Sequence, residues 1–349
     1  MKPNTMRDGR RMLSLVGTYQ SGGLLVALLV LCAVFAAVSS NFLSTSNLTV
    51  VLLQVAPVGI IAIPGAMLLL AGYLDLSVGS LAVLGAAVFG VLAKDLHTPW
   101  PLAVLAAFAV GGGWGALNGY LTAYLGFSPV VVTLGGYAAA RGVADAITHD
   151  TTRSGFGEIF GGLGNGSLLG LPAPAAVFII LFAIGLYLWY PTPLGRHLTA
   201  IGADRNSARA VGVSLKRIPF WVYVFSGLAS VLGGLIFTSQ LDGASLSIGI
   251  GMELQVLTAV LLGGVAFSGG RGSLWGVLFG VLFVGVLDNG LILLNVGPYY
   301  VNIAVGAVLL GVAGLDVVYQ RLERIPSSVV EPPPDEPAAV TESEVEAAR

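Results

Sequence analysis

The stretch LQVLTAVLLGGVAFSGGRGSLWGVLFGVLFVGVLDNGLILL, residues 254–294, places two apolar runs on either side of a short glycine-rich break. The second run, 274–294, contains one charged residue, Asp288. A helix rises about 1.5 Å per residue, so about 20 apolar residues cross the roughly 30 Å of hydrocarbon in a bilayer. The stretch therefore predicts two membrane spans joined by a tight turn.

The same alternation of apolar run and polar break extends along the whole chain. Of the 349 residues, 56% are hydrophobic and 10% are charged, against about 25% charged in ordinary soluble domains. We therefore predict an all-α integral membrane protein with about ten transmembrane helices. Runs 128–147 and 254–268 are candidates for broken or re-entrant segments, because the first carries glycines and charges and the second is short. The ten runs are 22–38, 48–71, 78–93, 101–125, 128–147, 172–190, 219–239, 254–268, 274–294 and 299–318.

Basic residues are sorted between the breaks as expected for a membrane protein. With the N-terminus in the cytoplasm and the last residue, Arg349, set aside, twelve Lys and Arg residues fall in cytoplasmic segments, and only Lys94 and Arg153 fall in segments on the opposite side. Lys and Arg concentrate in cytoplasmic loops, and one span more or fewer would mix the two sets. We therefore expect both termini in the cytoplasm and the loops 148–171 and 240–253 outside. The twelve residues are Lys2, Arg7, Arg10, Arg11, Arg196, Arg205, Arg209, Lys216, Arg217, Arg271, Arg321 and Arg324.

The chain is expected to have one transmembrane domain between two cytoplasmic ends. Residues 1–21 form a basic cytoplasmic segment, and residues 22–320 form the transmembrane domain. The longest polar break inside this domain, 191–218, is predicted to be a cytoplasmic loop. Residues 321–349 are proline-rich and then acidic, which is typical of a disordered tail.

The sequence carries no recognisable enzyme site. Residues 265–273, VAFSGGRGS, resemble the signature loop of ATP-binding-cassette ATPases, but no lysine lies in a phosphate-binding G-x-x-x-x-G-K-[ST] loop. The three histidines lie in different loops, and the single Cys32 lies in the first apolar run. We therefore expect no catalytic residue and no metal site. Residues 265–273 are interpreted as a turn, with Ser273 as the cap of the next helix.

Four segments together resemble the membrane-permease family of ATP-binding-cassette sugar importers, the ribose, xylose and galactose type. The resemblance extends over about residues 45–320. In two places the chain departs from the pattern, because Asn206 stands where the family has an acidic residue and Val301 stands where it often has glutamine. The four segments are 261–300, AGYLDLSVGSLAVLGA at 71–86, NGYLTAYLGFSPVVVTLGGYAAARGV at 118–143, and GRHLTAIGADRNSARAVGV at 195–213.

The resemblance implies a multi-pass permease subunit of the bacterial cytoplasmic membrane that imports a monosaccharide or a related small polar solute. It implies a homodimer, or a pair of related permeases, surrounded by membrane lipid. ATP and Mg²⁺ would bind to separate ATPase subunits that drive alternating access, so no cofactor is expected on this chain. An extracytoplasmic solute-binding protein would deliver the solute. No nucleic-acid partner is expected.

Several polar residues in or beside the spans are candidates for the solute pathway. Asp75 and Ser77 lie in the break between the second and third runs, where they fit either a helix cap or a gate. Asn118 and Asn289 each precede a glycine, and buried amides often bond neighbouring helices. The pathway candidates are Asp75, Ser77, Asn118, Thr133, Arg141, Asp288, Asn289 and Tyr299.

Charged residues inside a span are costly and therefore need a partner or an aqueous cavity. Asp145 follows Arg141 by one helical turn, so we predict a buried or cavity-lining ion pair between them. Direct contact of Arg141 with the solute is the alternative. Asp288 lies well inside the ninth run and is a candidate functional residue for the same energetic reason.

Residues 203–211 predict a short helix in the cytoplasmic loop, and Gly212 is placed to end it. We predict that this helix docks into a groove on the ATPase, since small residues permit close approach and Arg209 can pair with an acidic rim. A solvated loop helix without a partner is the alternative. The coupling candidates are Gly202, Asn206, Ala208, Arg209 and Gly212.

An ion-coupled secondary transporter of a small polar solute is the second functional hypothesis. Such transporters also use broken helices and internal polar sites. This class requires ion-binding carboxylates near the bilayer midplane, and the chain offers mainly Asp145 and Asp288 for that role.

Overall fold

The computed structural model describes residues 5–168 and 170–323, in which almost all regular structure is helical. Two π-helical turns, Val91–Asp95 and Tyr120–Tyr124, continue α3 and α4. A second compact unit begins at Gly314, and its described part carries the last residues of α13. The helices are α1 (Thr5–Val38), α2 (Thr45–Leu70), α3 (Val78–Gly90), α4 (Trp100–Gly119), α5 (Pro129–Thr148), α6 (Glu158–Asn165), α7 (Ala173–Trp189), α8 (Pro193–Ala203), α9 (Arg205–Ala210), α10 (Arg217–Gln240), α11 (Met252–Leu262), α12 (Leu274–Leu293) and α13 (Pro298–Glu323).

The predicted all-α membrane class is confirmed, whereas the number of spans stays a prediction. Within the described residues, six helices, among them α2 and α10, are long and apolar enough to cross a membrane. The pair α7 and α8 would form a seventh, bent by 69°. Shorter apolar helices cover Gly22–Val38, Met252–Leu262 and Tyr299–Gly311.

Run 128–147, a candidate for a broken or re-entrant segment, is not broken. α5 is one continuous helix of 20 residues, because its glycines lie within regular helical turns and its charged groups reach the helix surface. The sharp bend instead follows the sixth run, at Tyr190 to Thr192. Run 254–268 is short as predicted, since α11 has 11 residues.

The predicted end segments lie partly outside the described residues. Residues 1–4 and 324–349 are not described, so the tail proposed for 321–349 is described only at the end of α13. From Thr5 onward, the segment proposed as 1–21 belongs to α1, which continues into the first apolar run.

The core of the bundle is built on α2, α3 and α10. α10 packs against α2, α3 and α4, while α2 also contacts α7, α11 and α12. From Val55 to Leu70, nearly every residue of α2 is buried. A helix that is apolar on all sides is stable where other helices surround it, so α2 occupies the interior and α1, α4 and α5 lie outside it.

A glutamine on α10 bonds a backbone carbonyl that a proline inside α2 leaves without a helical partner. Pro57 has no N–H, so the carbonyl of Leu53 loses its helical partner. The side-chain amide of Gln240 donates to that carbonyl at 3.1 Å. This bond satisfies a backbone group that would otherwise be costly to bury in the membrane interior.

Loops at one end of the bundle form a shared outer layer. Strand β1 (Arg153–Ser154) pairs antiparallel with β4 (Gly243–Ala244), and β2 (Ser167–Leu168) pairs with β3 (Leu171–Pro172). Arg153 forms an ion pair with Asp95 at 2.7 Å. The two loops predicted to lie outside, 148–171 and 240–253, thus contact each other directly; we call this end of the bundle the strand end.

Small residues let α4 approach α10 closely. A Cβ atom at Gly115 would overlap the carbonyl oxygen of Tyr223 and would lie 2.9 Å from the Cα of Val224. A Cβ atom at Gly113, two residues earlier on the same helix, would meet no atom within 4 Å. Close packing of backbones through glycine is a common source of helix association in membranes.

Replacing Gly115 with leucine is expected to destabilise the bundle, whereas Gly113→Leu is expected to have little effect. Forcing extra carbon atoms into a closed interface costs about 1–3 kcal/mol or more. Thermal unfolding of the two purified variants in detergent would check this. Equal unfolding temperatures for both variants would contradict the close approach of α4 to α10.

Candidate functional site

A buried polar cluster joins the segment after α2 to α4 and α10; we call Asp75, Ser77, Asn118 and Ser226 the α3 junction. One carboxylate oxygen of Asp75 accepts bonds from the Ser77 amide at 3.0 Å and the Ser77 hydroxyl at 2.6 Å. The other accepts the Ser226 hydroxyl at 2.7 Å. Asn118 donates its amide to the Ser77 hydroxyl at 3.0 Å. All four side chains are buried.

The chain forms this cluster because α2 ends before α3 begins. Gly72 adopts φ +74°, which turns the chain out of α2, and residues 73–77 continue without helix. The hydroxyl of Tyr223 donates to the carbonyl of Leu74 at 2.9 Å and holds this segment against α10. The carboxylate of Asp75 then lies at the N-terminus of α3, where the helix dipole favours negative charge.

Unpaired polar atoms surround the α3 junction. The indole nitrogen of Trp114 and the hydroxyl of Ser80 are buried without a hydrogen-bond partner among the described residues. A carboxylate oxygen of Glu253 is also buried without a hydrogen-bond partner among the described residues, and it lies against Gly79, the second residue of α3. Buried polar atoms are nearly always bonded in native proteins, so these three groups are suited to bind a polar solute or water.

α5 lies beside this region. A Cβ atom at Gly136 would lie 3.1 Å from the Trp114 indole nitrogen and 3.2 Å from the side-chain oxygen of Asn118. The absence of a side chain at Gly136 therefore leaves both polar atoms uncovered on the α5 side.

The structure brings together three of the eight pathway candidates, namely Asp75, Ser77 and Asn118. Thr133 is buried, but its hydroxyl donates to the carbonyl of Pro129 within its own helix, at 2.8 Å. Tyr299 is 79% exposed. Arg141 bonds the carbonyl of Leu246, in the loop that precedes Glu253.

Asn289 belongs to a different contact. Its side chain and that of Asn47 exchange hydrogen bonds at 3.0 and 3.1 Å, which ties the start of α2 to the end of α12. The predicted helix-bonding role of a buried amide fits Asn289, whereas a shared pathway site with Asn118 does not. Asp288, its neighbour in α12, is partly buried.

The predicted pair of Arg141 and Asp145 is present; it is not fully buried, and its cavity-lining alternative stays a prediction. The closest nitrogen to oxygen distance is 3.9 Å, and the two side chains are 25% and 45% exposed. α5 is packed mainly on one side, against α3, so residues one turn apart can both reach its edge. The shorter bond of Arg141, at 2.6 Å, goes to the carbonyl of Leu246.

The predicted loop helix at 203–211 is present as α9, Arg205–Ala210, and an additional helix, α8, precedes it. Asp204 separates them and caps α9, accepting from the amides of Asn206 and Ser207 at 3.0 and 3.3 Å. The hydrogen bond from the Ser207 hydroxyl lowers the pKa of the Asp204 carboxyl. Gly212 follows the end of α9 with φ +82°, as its predicted role as a helix stop requires.

Two coupling candidates pack against other parts of this chain. Gly202 lies against the carbonyl of Leu70 and the amide of Gly270, and Ala208 is buried. Their small size serves packing inside this chain, which corrects the prediction that they admit a partner. Asn206 and Arg209 are exposed. Val211, which sequence reasoning missed, is 77% exposed and is the large apolar residue at the tip.

A chain of contacts connects α9 with the α3 junction. The guanidinium of Arg205 lies 4.9 Å from the centre of the Tyr73 ring. That ring meets Tyr223 edge-on, with centroids 6.1 Å apart. Tyr223 in turn bonds Leu74, the residue before Asp75. Three contacts therefore link α9 to the residue that precedes Asp75.

The turn at 265–273 packs between α8 and the end of α2. The amide of Gly270 donates to the carbonyl of Leu70 at 2.8 Å. Ser273 accepts from the amide of Gly276, so its predicted role as the cap of α12 is confirmed. This turn, α8 and α9 lie at one end of the bundle, which we call the coupling end.

Comparison with known proteins supports a transport role for this arrangement. The family described as the permease component of the branched-chain amino acid transport system matches residues 47–313. The chain belongs to this family. The match covers the α3 junction and the coupling end, and it confirms the resemblance to permeases of ATP-binding-cassette importers.

Curated relatives of the permease cover most of its length. The ribose import permease of Escherichia coli K12 is 36% identical over 291 residues, which is 82% of this chain and 90% of the relative. That of Bacillus subtilis 168 is 34% identical over 319 residues, 90% and 98% of the two chains. The D-allose permease of Escherichia coli K12 is 31% identical over 298 residues, 84% and 90%. No solved structure matches.

Membership in this family settles the broad class of the protein. The permease is a multi-pass protein of the cytoplasmic membrane and a subunit of an ATP-binding-cassette importer. The comparisons give no support to the ion-coupled alternative.

Proposed function

We propose that this permease imports a monosaccharide through a pathway that passes the α3 junction. The observation that supports this most directly is the group of buried, unpaired polar atoms on Trp114, Ser80 and Glu253 beside Ser77 and Asn118. Hydroxyl, indole, amide and carboxylate groups are suited to bond the hydroxyls of a sugar. Relatives named for ribose and allose import favour this solute class.

We place the coupling end in the cytoplasm. It carries Arg196, Arg205, Arg209 and Arg271, whereas the strand end carries Lys94 and Arg153, and Lys and Arg concentrate on the cytoplasmic side. This orientation is consistent with ten spans and both termini inside. The strand end then faces the extracytoplasmic solute-binding protein.

ATP and Mg²⁺ bind to separate ATPase subunits in this proposal, and the permease itself performs no catalysis. The ATPase contacts the exposed tip of α9, formed by Asn206, Arg209 and Val211. Its movement reaches Asp75 by way of Arg205, Tyr73 and Tyr223. The pathway then opens alternately to the two sides of the membrane.

A second permease copy is proposed to pack on α5. This helix contacts mainly α3 and leaves Val131, Leu134 and Val143 exposed. It also carries Gly136 and Arg141, which border the unpaired polar groups. A copy packed on this face would close the pathway between two α3 junctions, and lipid would surround the remaining apolar surface.

Transport by proteoliposomes tests this function. Vesicles containing the permease, its ATPase and its solute-binding protein are expected to accumulate radiolabelled ribose or a related monosaccharide only when ATP is supplied on the ATPase side. Vesicles containing the permease alone are expected to show no accumulation under a proton or sodium gradient. Gradient-driven accumulation by the permease alone would favour the ion-coupled transporter.

A further inference from the structure

A basic groove lies at the coupling end between α9 and the start of α10. It has a volume of about 480 Å³, and its lining includes Arg209, Lys216 and Arg217 together with Tyr124. No acidic residue lines the groove within the described part of the chain. Three cationic groups around one open volume favour an anionic ligand.

An aromatic strip runs from the groove across α4 and α10. The rings of Tyr120 and Tyr124 are stacked with centroids 5.7 Å apart, and Tyr124 meets Phe220 at 5.8 Å. Phe220 meets Trp221 at 5.4 Å. Lys216 lies 5.8 Å from the centre of the Tyr124 ring, so the strip and the basic groove are in direct contact.

The position of the strip favours an amphiphilic ligand. Tyr120, Tyr124 and Trp221 belong to helical segments that can span the membrane, and all three are exposed. Phe225, one turn further along α10, is also exposed. Aromatic side chains collect at the level of the lipid headgroups. A protein partner in the cytoplasm would not reach this level.

We propose that this groove binds the headgroup of an anionic phospholipid, with the acyl chains lying along the aromatic strip. Arginine and lysine supply charge-assisted hydrogen bonds to phosphate oxygens. Basic pockets beside spanning helices on the cytoplasmic side are suited to such headgroups. The bound lipid would join α9 to α4 and α10, next to the proposed ATPase contact.

Native mass spectrometry of the detergent-solubilised permease with phosphatidylglycerol or phosphatidylcholine tests this site. Wild-type protein is expected to retain phosphatidylglycerol preferentially. The triple variant Arg209→Gln, Lys216→Gln, Arg217→Gln is expected to bind it at least about tenfold more weakly. The matched control Arg196→Gln, which removes an exposed charge from α8 outside the groove, is expected to bind as wild type does.

A charge-preserving variant distinguishes a specific loss of lipid binding from a general effect on folding. Arg209→Lys, Lys216→Arg, Arg217→Lys is expected to retain the lipid, and the single substitutions Lys216→Gln and Arg217→Gln are expected to weaken binding in steps. Unchanged phosphatidylglycerol binding by the triple glutamine variant would overturn the proposal.

Two further results would also overturn it. One is equal thermal stabilisation of the permease by glycerol 3-phosphate and by phosphatidylglycerol at the same concentration, which would identify the ligand as a free phosphate compound. The other is loss of ATPase association in the double variant Lys216→Gln, Arg217→Gln, which keeps Arg209, with lipid binding unchanged; this would make the groove a protein contact.

Discussion

Replacing Val211 with aspartate is expected to abolish ATP-driven uptake while leaving the permease folded. Val211 is 77% exposed at the end of α9, so the substitution disturbs little within the chain. In the proposed complex, the new carboxylate would be buried against the ATPase without a partner. An uncompensated buried charge costs about 3 kcal/mol or more, which corresponds to a loss of affinity of about a hundredfold or more.

Co-purification of the ATPase and uptake by proteoliposomes together check this expectation. Ile159→Asp is the matched control, because Ile159 is equally exposed but lies in α6 at the strand end. This control is expected to keep the ATPase bound, and Val211→Leu is expected to keep both binding and uptake. Full uptake by Val211→Asp would show that the tip of α9 is not the coupling contact.

Removing the Asp75 carboxylate is expected to prevent stable folding of the permease. Asp75→Ala leaves three donors in the α3 junction without an acceptor, namely the amide and hydroxyl of Ser77 and the hydroxyl of Ser226. Each buried, unsatisfied donor costs about 1–3 kcal/mol, and the total stability of a protein is commonly about 5–15 kcal/mol. The combined loss is a large part of that stability.

The yield of monodisperse protein and its thermal unfolding in detergent measure this effect. Asp75→Asn retains one acceptor oxygen and is expected to fall between wild type and Asp75→Ala. Asp145→Ala is the matched control, since the side chain of Asp145 is 45% exposed and its ion pair is long. If Asp75→Ala and Asp145→Ala unfold at the same temperature as wild type, the α3 junction does not stabilise the fold.

The helices were predictable because the length and apolar composition of each run are enough to identify it. A long run without charge is recognised without information from elsewhere in the sequence. Ser273 begins α12 and Gly212 ends α9 through local backbone chemistry. The bend after α7 could not be found in this way. It follows a run as apolar as the others, and the chain turns there into α8, whose Gly202 packs on α2 and the 265–273 turn.

The candidate site was predictable only in part, because its members are distant in sequence. The motif around Asp75 and Ser77 identified one side of the α3 junction, but Ser226 is separated from Asp75 by 151 residues. Trp114 and Glu253 carried no local signal. For Arg141 and Asp145, helical spacing gave the correct neighbours, while their exposure depended on how α5 packs against the bundle.

The two ends of α2 are each fastened to α12 or to the turn that leads into it. At the strand end, Asn47 and Asn289 exchange two side-chain hydrogen bonds, and at the coupling end the amide of Gly270 bonds Leu70. α2 and α12 should therefore move as one rigid body. Spin labels on α2 and α12 are therefore expected to keep a constant separation throughout a transport cycle.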